Sequence, residues 1–178
     1  METADRQFLL RLLANTQQKF CESAKGLSDE QARLRPASDR WSVLECVEHV
    51  CLAEDGMFAR FTTKLTPGDP PAARSREEAI LQFAGDRNRK FNAPEHVRPT
   101  GRFPTLEAAL EHFQKSRARA IEYIRHLEID PRAYTAQHPA VGAVSGQELL
   151  LILAMHPARH ADQIRDIRRT LGLPEAAN

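Results

Sequence analysis

The stretch SGQELLLILAMHPARHADQIRDIRRTLG, Ser145 to Gly172, decides how this chain is read. Ser145 and Glu148 have the spacing of a capping box, Val144 and Leu149 are placed for a hydrophobic staple, and Gly172 and Pro174 close the run, so one long helix is predicted between them. Stepping by four and three from Leu149 gives Leu153, His156, His160, Gln163 and Ile167, the pattern of a core-facing stripe. His160 is turned only about 40° from His156, one turn along, so both rings can reach one ion. Unpaired polar rings are costly in an apolar core, and a shared metal removes that cost. A third ligand has to come from elsewhere in the chain.

Working outward, three more long amphipathic helices are expected. From Asp5 to about Lys25, Leu9, Leu13, Thr16, Phe20 and Ala24 recur by threes and fours. Ser28 and Gln31 form a capping box for a short connecting helix that Pro36 stops. Ser42 and Glu45 form another, with Trp41 and Cys46 as a staple, and Val43, Val47, Val50, Met57 and Phe61 mark the apolar side of the second long helix as far as the turn-rich TPGDPP, residues 66–71. Residues 67–104 are irregular and rich in Pro and Arg. A Ser75–Glu78 capping box there announces one short helix, and a lid or a wall of a binding site is expected from so long a connection. The third long helix starts after Thr105 and runs to near Asp130-Pro131 through Leu110, Phe113, Ile121, Ile124 and Leu127. No segment alternates with period two for long enough to suggest a strand. The expectation is an all-α chain, one four-helix-bundle domain over residues 1–178, with an irregular segment and short helix between the second and third long helices.

With 178 residues the chain can bury about 70% of its unfolded surface without a disulfide or structural zinc. Its 25 basic and 24 acidic residues leave a net charge of +1, so no strong field favours nucleic acid or a membrane surface. Cys21, Cys46 and Cys51 are odd in number and show no CxxC spacing, which fits reduced thiols. The opening METADRQFLLRLLANTQQKF reads as neither a signal peptide nor a span, so a cytoplasmic location is expected. Bundle faces pair readily, which makes a homodimer a further expectation.

His49 lies in the second turn of the second long helix, with Cys46 and Ala53 on its own side, and is placed to face the same interior as the other pair. The run WSVLECVEH, followed by QHPAVGAVSGQELLLILAMHPARHADQI, resembles the DinB-like superfamily of metal-dependent four-helix bundles over most of the chain. The most specific part is the coupling of a Trp-Ser helix start and its histidine to a distant HxxRHxxQ reached through a His-Pro-x-x-Gly loop. The resemblance implies that His49, His156 and His160 bind a divalent metal. It also implies a link to transferases or isomerases that use bacillithiol, mycothiol or another low-molecular-weight thiol as cosubstrate. Zinc or nickel suits such ligands, and three histidines leave a position open. Many members carry Glu where this chain has Pro157, which leaves no acid or base at that position. Proline there removes a donor to the Leu153 carbonyl, so a kink is expected and a carbonyl is free to face the site.

Other polar residues have plainer readings. Glu45 belongs to a helix start, Glu48 to the solvated surface, Cys46 and Cys51 to the core, and His138 to a loop or cap. His96, His112 and His126 have no partner at ligand spacing, while Gln163 is placed to hold a histidine ring or a water. Arg165, Arg168 and Arg169 suit the negative end of the last helix. Two functions follow. One is a metal-dependent transferase or hydrolase in which the ion acts as a Lewis acid on water, a thiol or a small-molecule substrate. The other is a noncatalytic metal-binding or dimerisation bundle.

Overall fold

A computed structural model describes residues 1–68, 74–83 and 92–174. Four long helices carry the fold: α1 (Thr3–Ala24), α3 (Val43–Thr63), α5 (Leu106–Arg125) and α6 (Gly146–Leu171), with short helices α2 (Asp29–Arg33) and α4 (Arg74–Phe83) between them. α1 packs on α6 and α5, and α3 packs on the same two, closing a ring of four.

The helix starts follow from local chemistry. Ser28, Ser42 and Ser145 each accept from the backbone amide three residues on, and Gln31, Glu45 and Glu148 return the bond to the cap amide. Thr105 accepts from the Ala108 amide. Each cap satisfies donors that a helix start would otherwise leave bare. The Ser75 side chain, and with it the capping box expected there, lies outside the described residues. α5 ends at Arg125, short of Asp130, and a 3₁₀ turn at Pro131–Ala133 follows. At the end of α6, Gly172 takes φ +61°, and the Leu173 amide reaches back to the Arg168 carbonyl at 2.9 Å.

The four-helix bundle is as expected, and a small antiparallel sheet beside it corrects only the reading that no segment forms a strand. β1 (Thr66–Pro67), β2 (Tyr134–His138) and β3 (Gly142–Ser145) pair in that order, with Thr66 opposite Thr135 and His138 opposite Gly142. These strands are too short to show a period, and β1 meets β2 across a wide gap in sequence, so only tertiary pairing makes them strands. The sheet delivers the chain into the Ser145 cap.

The core divides into two apolar clusters. One joins Leu9, Leu13, Met57, Phe61, Ile124 and Leu149 to Leu151 and Leu153; the other joins Phe20, Val47, Val50, Phe113, Ile164 and Ile167. On α6 the change from the first cluster to the second falls between Leu153 and Ala161, and on α3 between Cys51 and Ala53. His156 and His160 stand at the first seam, and His49 lies just before the second.

Candidate metal centre

α3 and α6 bring His49, His156 and His160 together, with one ring nitrogen of each lying within 4.8 Å of the others. Nε2 of His156 is 3.3 Å from Nε2 of His49 and 3.1 Å from Nε2 of His160. Ligand nitrogens at about 2.0–2.1 Å from a tetrahedral ion stand about 3.3 Å apart, so these spacings fit a shared ion.

The outer nitrogens fix which atom faces inward. His49 Nδ1 lies 2.8 Å from the Val97 carbonyl, which can only accept, so the ring proton is on Nδ1 and Nε2 presents a lone pair. His160 Nδ1 bonds Gln163 Oε1 at 2.9 Å with the same result. His156 Nδ1 is shielded from solvent and has no hydrogen-bond partner, although the residue as a whole is half-buried. A proton on His156 Nε2 would satisfy one neighbour's lone pair and leave its own Nδ1 bare. A proton on Nδ1 leaves three lone pairs converging. A divalent cation at the point of convergence resolves the second arrangement, so the donor set fits a metal.

Burial also favours the ligand form of the rings. It holds His49 below the ordinary value for histidine, against the opposing bond to Val97. His156 is pushed well below it, first by burial and then by His160, His49, His138 and Arg159. His49 and His156 are therefore neutral at neutral pH, as ligation requires.

The segment over α3 is held in place from the residue beside His49. Glu48, only 1% exposed, accepts from the Thr100 amide at 2.7 Å and the Gly101 amide at 3.0 Å. This corrects the reading of Glu48 as solvated: with His49 on Val97, two consecutive residues grip 97–101. Residues 97–101 of the irregular connection thus lie against α3 beside His49, and the Trp41 ring stands 4.9 Å from that of His49. A lone acid between Val47 and His49, in a run with Cys46, Val50 and Cys51, was the available sign of a buried carboxylate with fixed partners.

Elsewhere the plainer readings hold, with two adjustments. Glu45 serves the helix start and also pairs with Arg35. His112 pairs with Asp55 and His126 with Glu122, away from the triad. The three cysteines are free thiols; Cys51 donates to the Ala109 carbonyl at 3.2 Å, and burial pushes its thiol far up. His138 ends β2, and its Nδ1 accepts the Ala140 amide at 3.2 Å within the turn; burial and Arg60 hold its pKa down to about 4. Arg168 does more than complement the helix end: it is 3% exposed and caps the Ser23 carbonyl of α1 and the nearby Lys25 carbonyl. α6 continues unbroken through Pro157, and the carbonyl this frees at Leu153 faces Arg117 rather than the site. Two surface hollows, of about 720 and 440 Å³, have no triad residue in their walls.

A match to the DinB superfamily runs over residues 12–164, which include all three histidines. The chain belongs to the DinB superfamily. The uncharacterised protein YuaE of Bacillus subtilis is 27% identical over 147 residues, covering 83% of this chain and 89% of YuaE. YfiT from Bacillus subtilis, described as a probable metal-dependent hydrolase with an unusual four-helix bundle topology, superposes with a TM-score of 0.67 at 17% identity, covering 98% of this chain and 91% of YfiT. A conserved protein from Enterococcus faecalis gives a TM-score of 0.66 at 15% identity, covering 97% and 99%. At those identities the likeness to the solved structures is one of fold. Among the described residues, no helix is long and apolar enough to cross a membrane.

Proposed function

We propose that this DinB protein is a divalent-metal-dependent enzyme acting on a small molecule, with His49, His156 and His160 as the ligands and hydrolysis as its reaction type. The observation that carries the reading is the convergence of three Nε2 atoms, two of them 3.1 and 3.3 Å from the third, with both outer rings bonded so that the lone pair points inward. An ion bound there supplies Lewis-acid activation of a water or thiol and stabilises developing negative charge. Three protein ligands leave a position for the reacting group, unlike a closed structural site. Val97 and Gln163 hold the ring orientations, Trp41 and residues 97–101 limit water beside His49, and Glu48 anchors that segment. YfiT's description as a probable metal-dependent hydrolase supports hydrolysis. The DinB resemblance supports the same site working with a low-molecular-weight thiol as cosubstrate.

Metal analysis of protein purified without a histidine tag tests the first step, with zinc or nickel expected at one equivalent. His49→Ala and His160→Ala should each lose the metal, and binding equal to the parent would overturn the ligand assignment. Ligand-field bands of a cobalt derivative titrated with small thiols divide the two reactions. A thiol that shifts the bands supports transfer, and bands unmoved by any thiol leave hydrolysis. An ion without an exchangeable water would mark the site as structural.

A further inference from the structure

Pro157 stands immediately after His156 and has no N–H, so the Leu153 carbonyl lacks the amide donor that position 157 would otherwise provide. A proline ring also crowds the carbonyl four residues before it. In this protein that carbonyl is met by a side chain: Arg117 Nη2 of α5 donates to Leu153 O at 3.1 Å. Arg117 is wholly buried. Its Nε and Nη2 clamp Glu54 Oε1 and Oε2 of α3 at 2.7 and 2.8 Å, and its Nη1 donates to the Leu13 carbonyl and Thr16 Oγ1 of α1, each at 3.3 Å. One guanidinium therefore ties all four long helices together. Its contact on α6 is three residues before His156, and its contact on α3 is five residues after His49.

We propose that Arg117 is a positioning residue for the histidine triad: by replacing the backbone donor that Pro157 removes, it sets the turn of α6 that carries His156 and fixes that turn against the His49 helix. The inference rests on His156 being a ligand, but the hydrogen bond has consequences of its own. A planar fork can hold a carboxylate and a carbonyl at once, whereas an ammonium is a point donor. Arg117→Lys can keep Glu54 neutralised while losing the reach to Leu153. Pro157→Ala supplies Leu153 with its own amide donor and makes the arginine's contact there dispensable.

The two substitutions are made singly and together and read in two ways: the dissociation constant of Co²⁺, and the ring ¹H–¹³C resonances of His156 in metal-free protein. Arg117→Lys is expected to weaken Co²⁺ binding about 10-fold, the size of effect seen when a ligand's support is lost, and to move the His156 resonances. Adding Pro157→Ala should return affinity to within about threefold of the parent and restore the resonances. Where Arg117→Lys does not fold, the pair Arg117→Gln with Glu54→Gln removes both charges and takes its place. Equal loss with and without Pro157→Ala, or no change in either readout, overturns the proposal. A parent that binds no Co²⁺ defeats the ligand reading, and the ring resonances then decide the positioning role alone.

Discussion

Gln163→Leu should weaken metal binding without unfolding the bundle. Gln163 Oε1 bonds His160 Nδ1 at 2.9 Å and so keeps the ring proton away from Nε2, the atom 3.1 Å from His156. Without that acceptor the proton is free to move to Nε2, and each binding event then has to displace it. Loss of the partner on the far nitrogen of a metal-binding imidazole costs about 10–100-fold in affinity, or about 1.4–2.7 kcal/mol. Gln163 is half-buried, so water recovers part of the bond and the expected loss is near the lower end, about 10-fold. Gln163→Glu keeps an acceptor and adds charge to it, so it should bind at least as tightly as the parent. The chain's single tryptophan makes the assay direct: Trp41 lies 4.9 Å from His49, and its fluorescence should be quenched as Co²⁺ or Ni²⁺ occupies the site. Competition against a chelator of known affinity converts quenching to a Kd. Affinity for Gln163→Leu within twofold of the parent, at unchanged Tm, would refute the reasoning and leave the His160–Gln163 bond as packing.

Three further outcomes are expected. Glu48→Ala takes the acceptor from the Thr100 and Gly101 amides, which water can partly replace because both residues are exposed, and should cost about 1–2 kcal/mol in urea denaturation of metal-free protein; a loss under about 0.5 kcal/mol would show that the 97–101 segment does not depend on Glu48. Metal-free protein should lose stability as pH falls. His49, His156 and His138 all sit below the ordinary 6.5, so the unfolded chain takes up protons first; stability is fully present above about pH 6.5 and declines towards pH 4, where His138 itself titrates. For His138 alone the full shift corresponds to about 3 kcal/mol, reduced to about half because solvent reaches the ring, and a chevron series showing equal stability at pH 4.5 and 7 would contradict this. Gly146→Ala places a Cβ 2.8 Å from the Pro131 carbonyl, and the clash should lower stability by about 1–3 kcal/mol and Tm by several degrees in thermal denaturation.

The four long helices and the direction of their inner faces are legible in the amino-acid order, because serine caps and three-four apolar spacing are local chemistry that each segment carries with it. That order also determined that His156 and His160 share a face, since four residues of helix allow nothing else. That the chain is DinB-like was legible too, because the resemblance rests on residue types in a fixed order. The tertiary structure decided what the two ends of the chain do to one another. His49 meets His156 across 107 positions only because α3 and α6 are neighbours, and no periodicity encodes which helices adjoin. The strands leave no mark in the sequence because segments of two to five residues have no period and become strands only on finding a partner. Glu48 and Arg117 have side chains that are ordinarily solvated. Their burial depends on two backbone amides from a loop and on a carbonyl uncovered by a proline, groups that exist as partners only once distant segments have packed together.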